Sequence, residues 1–203
     1  MHLFPQAKIE LITMNRIPAI VISILFLFSC THQKYEHPRI IIDTAFGDIE
    51  AELYPDKAPK TVKAFLSFID AGYYKEASFY RVLKDDEMPT DFNTGIIQGG
   101  TWPVKKEVVG VEHEPTSLTG LSHTNGTLSL ARTGPGTATT EYFICIGDQR
   151  QFDAGGGGGS DSLGFAAFGK VVKGMNTVRK IQANESIGDH FKQKIVINSI
   201  HIL

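Results

Sequence analysis

From Arg39 onward the chain is cut by turn residues into short apolar runs, each rich in β-branched and aromatic side chains. That punctuation constrains the fold more than any other feature. Runs of this length must pair with one another, and a chain that makes many of them becomes a sandwich or a barrel. Residues 39–44, Arg-Ile-Ile-Ile-Asp-Thr, read as the first strand. Phe46-Gly47-Asp48 signals a turn, and residues 48–53 alternate with Ile49, Ala51 and Leu53 on one face, so the pair reads as a hairpin. Further strands are predicted over residues 79–83, 96–98 (closed by Gly99-Gly100), 128–131, 142–146 and 165–172. The last covers residues 195–203, where Ile195, Ile197, Ser199 and His201 alternate with Val196, Asn198, Ile200 and Ile202.

Two helices interrupt the strands. Pro59 suits a first helical turn, where its missing N–H costs nothing. Val62, Phe65, Leu66 and Ile69 then form one apolar stripe at helical spacing, and Gly72 supplies the stop. A second helix begins near Gly174 and carries Met175, Val178 and Ile181. Strand pairs joined by tight turns imply an antiparallel sheet. About eight strands suit a barrel filled by its own side chains. The expected fold is therefore mainly β, a closed eight-stranded antiparallel barrel capped by two α-helices. No internal repeat is present. The five glycines Gly155 to Gly159 are expected to form a flexible loop inside the domain, because strand patterning resumes directly after them.

Composition excludes several function classes. The 203 residues are 42% hydrophobic and 21% charged with a net charge of −2, and Lys and Arg are scattered. No basic stripe marks a nucleic-acid surface, so no nucleic-acid partner is expected. The two cysteines, Cys30 and Cys145, make neither a disulfide framework nor a CxxC site. Cys145, inside Tyr142-Phe143-Ile144-Cys145-Ile146, reads as a small buried hydrophobe. His113 and His123 match no ligand spacing, so no metal is expected, and His123 reads as a hydrogen-bonded structural residue.

The N-terminus reads as an address. Arg16 precedes an apolar run from Ile17 to Phe28. That run is shorter than the ~20 residues a membrane-spanning helix needs, and it suits the core of a secretory signal. It ends in Leu27-Phe28-Ser29-Cys30, which resembles the lipobox of bacterial lipoproteins, where cleavage precedes the cysteine and its thiol is lipidated. Phe28 is bulkier than that pattern usually has. Residues 1–29 are thus read as a signal peptide, with residues 1–13 upstream of a second start at Met14. Residues 30–38 read as the lipidated cysteine and a tether, and residues 39–203 as the folded domain. Each buried CH2 of an attached acyl chain contributes about 0.8 kcal/mol to membrane binding. The expected location is the cell envelope, lipid-anchored and facing the periplasm.

Four ordered blocks in the domain resemble the cyclophilin family. They are Pro55-Asp56-Lys57-Ala58-Pro59-Lys60-Thr61-Val62 with Phe65; Phe79-Tyr80-Arg81-Val82 with Ile96-Ile97-Gln98-Gly99-Gly100; Gly126 to Arg132 with Thr140-Glu141-Tyr142-Phe143-Ile144-Cys145; and Phe165 to Met175. Their order and spacing hold across residues 39–203. The resemblance implies the same capped barrel and a peptidyl-prolyl cis/trans isomerase that needs no cofactor. It further implies proline-containing peptides and unfolded proteins as partners; a monomer is expected.

Isomerisation must overcome a barrier of about 18–20 kcal/mol set by amide resonance. When the bond twists, the prolyl nitrogen regains a lone pair. A fixed donor aimed there stabilises the transition state more than the ground state. By the resemblance Arg81 is that donor, Gln98 holds the substrate backbone or orients Arg81, and Phe143 with Ile96 forms the proline pocket. Ala131 lines the adjoining groove. Arg132 stands where the family grips peptide through its main chain, and Phe152 serves as an apolar contact. Glu141 is read as substrate-binding, although the family often has Gln there. Gly95 replaces an aromatic residue, Phe165 stands near a family histidine, and Met88 or Phe92 from the inserted loop is expected to fold back and complete the pocket. The lone Trp102 is expected to pack beside the barrel. A competing reading is a chaperone module that binds proline segments with little catalysis.

The anchor reading has a direct test. Cys30→Ser is expected to move the protein from the membrane to the soluble fraction, and unchanged fractionation contradicts lipidation.

Overall fold

The computed structural model describes residues 35–85, 94–103 and 107–203, so the signal segment and Cys30 lie outside the described residues. Among the described residues nine strands occur in chain order: β1 Arg39–Thr44, β2 Ile49–Leu53, β3 Ser78–Lys84, β4 Gly95–Gly100, β5 Thr127–Leu130, β6 Tyr142–Ile146, β7 Ala166–Lys173, β8 Ser186–Ile187 and β9 His190–Ile202. Eight of them close into an antiparallel barrel in the order β1-β2-β7-β5-β6-β4-β3-β9, with β9 returning to β1 through pairs such as Ile40↔Ile202 and Ile42↔Ile200. Among the described residues the two-residue β8 pairs only with β9, and the sequence pattern predicts no strand there. Closure removes the unpaired edges an open sheet would expose.

Inward-facing residues fill the barrel. Ile40, Ile42, Ile49, Leu53, Phe79, Ile97, Leu128, Leu130, Tyr142, Ile144, Phe168 and Ile197 are all fully buried in one cluster. The helix α1 (Pro59–Asp70) adds Phe65, whose ring lies 4.9 Å from Phe168 and 5.5 Å from Tyr142. A single helical turn, α2, spans Thr116–Thr119. The helix α3 (Met175–Gln182) buries Val178 and Ile181 as the spacing predicts.

The alternation predicted for the last strand fails in one place. Ile195 and Ile197 are buried, but the next buried residue is Ile200 rather than Ser199. The β1–β9 register slips between Asp43 and Thr44, where a bulge adds a residue and turns the following side chains over. The α1 stripe is rotated as well. Its buried face is Thr61, Val62, Phe65 and Phe68, while Leu66 and Ile69 are only partly covered.

The N-terminus of α1 is capped from a distance. Ala58 at the cap position offers no side-chain acceptor. Instead the buried carboxylate of Glu114 accepts the backbone N–H of Lys60 at 3.2 Å, the N–H of Thr61 at 2.8 Å and the Thr61 hydroxyl at 2.7 Å. These are groups the helix cannot satisfy internally, and a negative charge suits this end of the helix dipole. Glu114→Ala is therefore expected to lower stability by about 2–3 kcal/mol, since it orphans buried donors bonded to a charged group. Urea unfolding at neutral pH measures this, and Glu114→Gln should lose less.

Candidate active site

The site begins with a second bulge. In β3, Phe79 pairs with Gly99 and Arg81 with Gln98, so Tyr80 is an extra residue against β4. Strict alternation would send Tyr80 and Arg81 to opposite faces. The bulge instead keeps Phe79 and Val82 in the barrel core and sends Tyr80 and Arg81 together to one outer cleft. On β4, Gln98 points the same way. It accepts from Arg81 Nη1 at 3.0 Å through Oε1 and donates to Tyr80 Oη at 2.7 Å through Nε2.

Arg81 is held at a second point. Its Nε donates to Asp189 Oδ2 at 2.7 Å, and the bond from the guanidinium holds the Asp189 carboxyl below the usual range despite partial burial. Among the described residues no hydrogen bond is assigned to Nη2. The Arg81 side chain is 34% exposed, partly shielded and still open to the cleft.

Facing this cation is an apolar wall. The outer sides of β4 and β6 carry Ile96, Phe143 and Cys145, which pack with Phe152 as a second cluster apart from the barrel core. Leu83, Ala131 and Phe165 lie against it. Three phenyl rings meet edge to face: Phe143 to Phe152 at 5.4 Å, Phe143 to Phe165 at 5.5 Å and Phe152 to Phe165 at 5.4 Å. This is the arrangement the ring quadrupoles favour. Phe143 is fixed from behind by His123, whose ring stacks at 5.8 Å. His123 is fully buried between Asp153 Oδ1 at 2.6 Å and Ser129 Oγ at 2.9 Å. Burial pushes its pKa below the usual range against the pull of Asp153. Burial likewise pushes the Cys145 thiol up, leaving it a packed hydrophobe.

The cleft these residues enclose measures about 670 Å³. Arg81, Gln98, Phe143, Ile96, Ala131, Arg132, Glu141 and Phe152, all expected from the sequence, line it together. A larger groove of about 1000 Å³ runs along α1 beside Val108–Glu112, but it contains none of these residues.

Two of the lining side chains are already occupied. Arg132 makes a two-pronged ion pair with Asp161, at 2.8 and 2.7 Å, and also donates to the Gly164 carbonyl. Its guanidinium lies over the Phe165 ring at 5.4 Å, so it braces the aromatic wall. The glycine-rich segment is a loop inside the domain, as expected, and its backbone bonds adjoin this bracing. Gly156 N–H donates to Asp153 O at 2.9 Å and Gly158 N–H to Gln151 O at 2.7 Å. Glu141 is likewise engaged: Oε2 accepts from Tyr80 at 2.7 Å, and Oε1 accepts the Thr101 N–H at 2.8 Å. Burial, and then the nearby Glu141 charge, raise the Tyr80 phenol well above its usual pKa.

The comparisons with known proteins agree with this geometry. The family model described as "Cyclophilin type peptidyl-prolyl cis-trans isomerase/CLD" matches residues 39–202. The chain belongs to the cyclophilin-type peptidyl-prolyl cis-trans isomerase family. Enzymes of this family are classed as EC 5.2.1.8, and that is the enzyme class of this chain. It is 31% identical to peptidyl-prolyl cis-trans isomerase A of Dickeya dadantii (strain 3937), over 93% of this chain and 98% of that one. It is 33% identical to isomerase B of Escherichia coli (strain K12), over 80% and 98%. Among solved structures, a cyclophilin-type isomerase of Cryptosporidium parvum superposes with a TM-score of 0.65 at 25% identity, covering 82% of this chain and 98% of that one. The same parasite protein, crystallised in the presence of the dipeptide ala-pro, gives 0.64.

The departures from the cyclophilin pattern have physical causes. Gly95 sits at φ +131°, and a Cβ there would lie 2.1 Å from the Leu83 carbonyl oxygen, so no aromatic side chain fits. Met88 and Phe92, expected to compensate, lie outside the described residues. Phe165 takes its place in the ring trio. Trp102 lies at the cleft rim rather than simply beside the barrel: it is 44% exposed, 5.0 Å from the Tyr80 ring and 4.9 Å from Lys194 Nζ. Sequence reasoning missed Tyr80, whose position depends on the bulge, and Asp189, which is distant in the chain from Arg81.

The Arg132–Asp161 brace makes a pH prediction. The bonds from Arg132 hold the Asp161 carboxyl down to about 2. A carboxyl depressed on folding contributes fully above its unfolded pKa, ~3.9, and the contribution disappears as pH falls through the folded value. The brace is thus intact at neutral pH and lost between about pH 4 and 2. A carboxyl-carbon NMR titration should give Asp161 a midpoint near 2 in the wild type, and Arg132→Leu should return it toward ~3.9.

Proposed function

We propose that this cleft is the isomerase active site, with Arg81 as the donor to the prolyl nitrogen and Phe143 as the floor beneath the ring. The observation that carries the reading is the placement of Arg81. Two of its nitrogens are tied, to Asp189 and Gln98, and the guanidinium borders a cleft walled by Phe143, Ile96, Phe152 and Leu83. A proline ring is a small rigid hydrophobe and fits such a wall. Seating it there removes water from the amide and strengthens any charge acting on it.

Rotation then follows from what each side chain does. The apolar wall holds the ring still while the preceding carbonyl turns. As resonance is lost, the nitrogen gains a lone pair, and Arg81 donates to it. The bond is worth more in the twisted state than in either planar isomer, which lowers the barrier in both directions. Gln98 orients Arg81 and stands within reach of the substrate backbone. Ala131, small and partly covered beside the wall, leaves room for an extended peptide. Arg132 contributes by bracing Phe165.

No nucleophile, metal or cofactor enters this scheme. The substrates are proline-containing segments of other proteins. With the signal-like segment and Cys30 motif, the proposed role is assistance to protein folding in the cell envelope, from a lipid anchor facing the periplasm.

One hydrogen bond from a charged donor contributes about 1.5–3 kcal/mol. At about 1.4 kcal/mol per decade, Arg81→Ala should lower kcat/KM by about one to two decades. A proline-isomerisation assay on a short Ala-Pro peptide measures this. Equal rates for the variant and the wild type would instead favour a proline-segment-binding chaperone.

A further inference from the structure

Several donors converge on Glu141. Its Oε1 accepts the backbone N–H groups of Thr101 at 2.8 Å and Trp102 at 3.2 Å. The Thr101 and Thr140 hydroxyls stand 3.3 and 3.2 Å from the same oxygen. Oε2 accepts the Tyr80 hydroxyl at 2.7 Å. An ionised carboxylate only accepts, so Tyr80 commits its single proton to Glu141. The Tyr80 oxygen is then left to accept, and it does so from Gln98 Nε2 at 2.7 Å. Gln98 thereby turns its carbonyl oxygen to Arg81 Nη1 at 3.0 Å. A guanidinium only donates. The chain of bonds ends in an acceptor-only group on one side and a donor-only group on the other, so each bond between them has one allowed direction.

A glutamine in place of Glu141 breaks this order of donors and acceptors. With its amide oxygen toward Thr101 and Trp102, its NH2 would face Tyr80. Two amides would then donate to one hydroxyl whose own proton has no acceptor, unless Gln98 turned over to accept it and set its NH2 against the donor-only Arg81. With the substituted amide itself turned over, its NH2 would meet two backbone N–H groups. Tyr80 is only 5% exposed, which leaves little room for water to repair either arrangement. A substrate-binding role, expected for Glu141 from the sequence, would need acceptor capacity that these internal donors already use.

We propose that Glu141 is a positioning residue for isomerisation. Through Tyr80 and then Gln98 it fixes the orientation of the Arg81 guanidinium in the cleft. This rests on the reading of Arg81 as the donor to the prolyl nitrogen.

The test measures isomerisation and binding of an Ala-Pro peptide for the wild type, Glu141→Gln, Tyr80→Phe, Arg81→Ala and the Glu141→Gln/Arg81→Ala double variant. Glu141→Gln and Tyr80→Phe should each lower kcat by about three- to tenfold while KM stays within about twofold. Glu141→Gln should cost nothing further once Arg81 is alanine, because it acts through that side chain. Tyr80→Phe keeps the carboxylate and its Thr101 bond, so it answers the question even if Glu141→Gln fails to fold. Wild-type kcat in Tyr80→Phe, alongside a slow Arg81→Ala, overturns the relay and leaves the Arg81 reading standing. An undiminished further loss in the double variant also overturns the relay. A wild-type rate for Arg81→Ala removes the reading underneath, and the relay with it.

Discussion

The bulge at Tyr80 is the constraint on which the rest of the site depends. One extra residue in β3 against β4 places two consecutive side chains in the same cleft, and Gln98 bonds to both of them. Without the bulge, Tyr80 would enter the barrel or Arg81 would. Arg81 could not do so unpaired, because burying an isolated charge costs several kcal/mol. The register slip therefore reconciles a packed interior with a cation next to an apolar wall. It is accommodated on the other flank as well, where β9 pairs Phe79 with Ile195 and Arg81 with His190.

The barrel contributes rigidity and a second usable face. Strands β4 and β6 are apolar on both sides: Ile97, Tyr142 and Ile144 fill the interior, while Ile96, Phe143 and Cys145 support the cleft. Each wall residue is thus backed by a packed neighbour rather than by a mobile loop. The members of the trio outside the strands, Phe152 in a short 3-10 turn and Phe165 just before β7, are secured differently. The Arg132–Asp161 pair and the backbone bonds of the glycine-rich segment hold them against Phe143. His123 supports Phe143 from behind with both ring nitrogens engaged. Such support on every side is what a site needs when its catalysis depends on geometry rather than on bond-making chemistry.

Much of this was legible in the sequence, for identifiable reasons. The strand over Tyr142–Ile146 was read with its true bounds because its alternation is undisturbed, and Tyr142 and Phe143 do face opposite ways. The second helix is legible from Gly174 because the apolar stripe of Met175, Val178 and Ile181 begins directly after it. The misreadings share a cause, which is structure that depends on distant partners. The bulges at Tyr80 and Thr44 arise from pairing between strands, so local alternation predicts the wrong face. Glu114 caps α1 across 53 residues of sequence, and Asp189 grips Arg81 across 108.

The central claim is that Arg81 acts on the twisted bond and not on ground-state binding. NMR exchange spectroscopy on a bound Ala-Pro peptide, comparing the wild type with Arg81→Lys, tests it most directly. Lysine keeps the charge but loses the rigid fork that Asp189 and Gln98 hold. The account predicts affinity within about threefold and cis–trans exchange on the enzyme slower by about tenfold or more. Unchanged exchange with weakened affinity would contradict it.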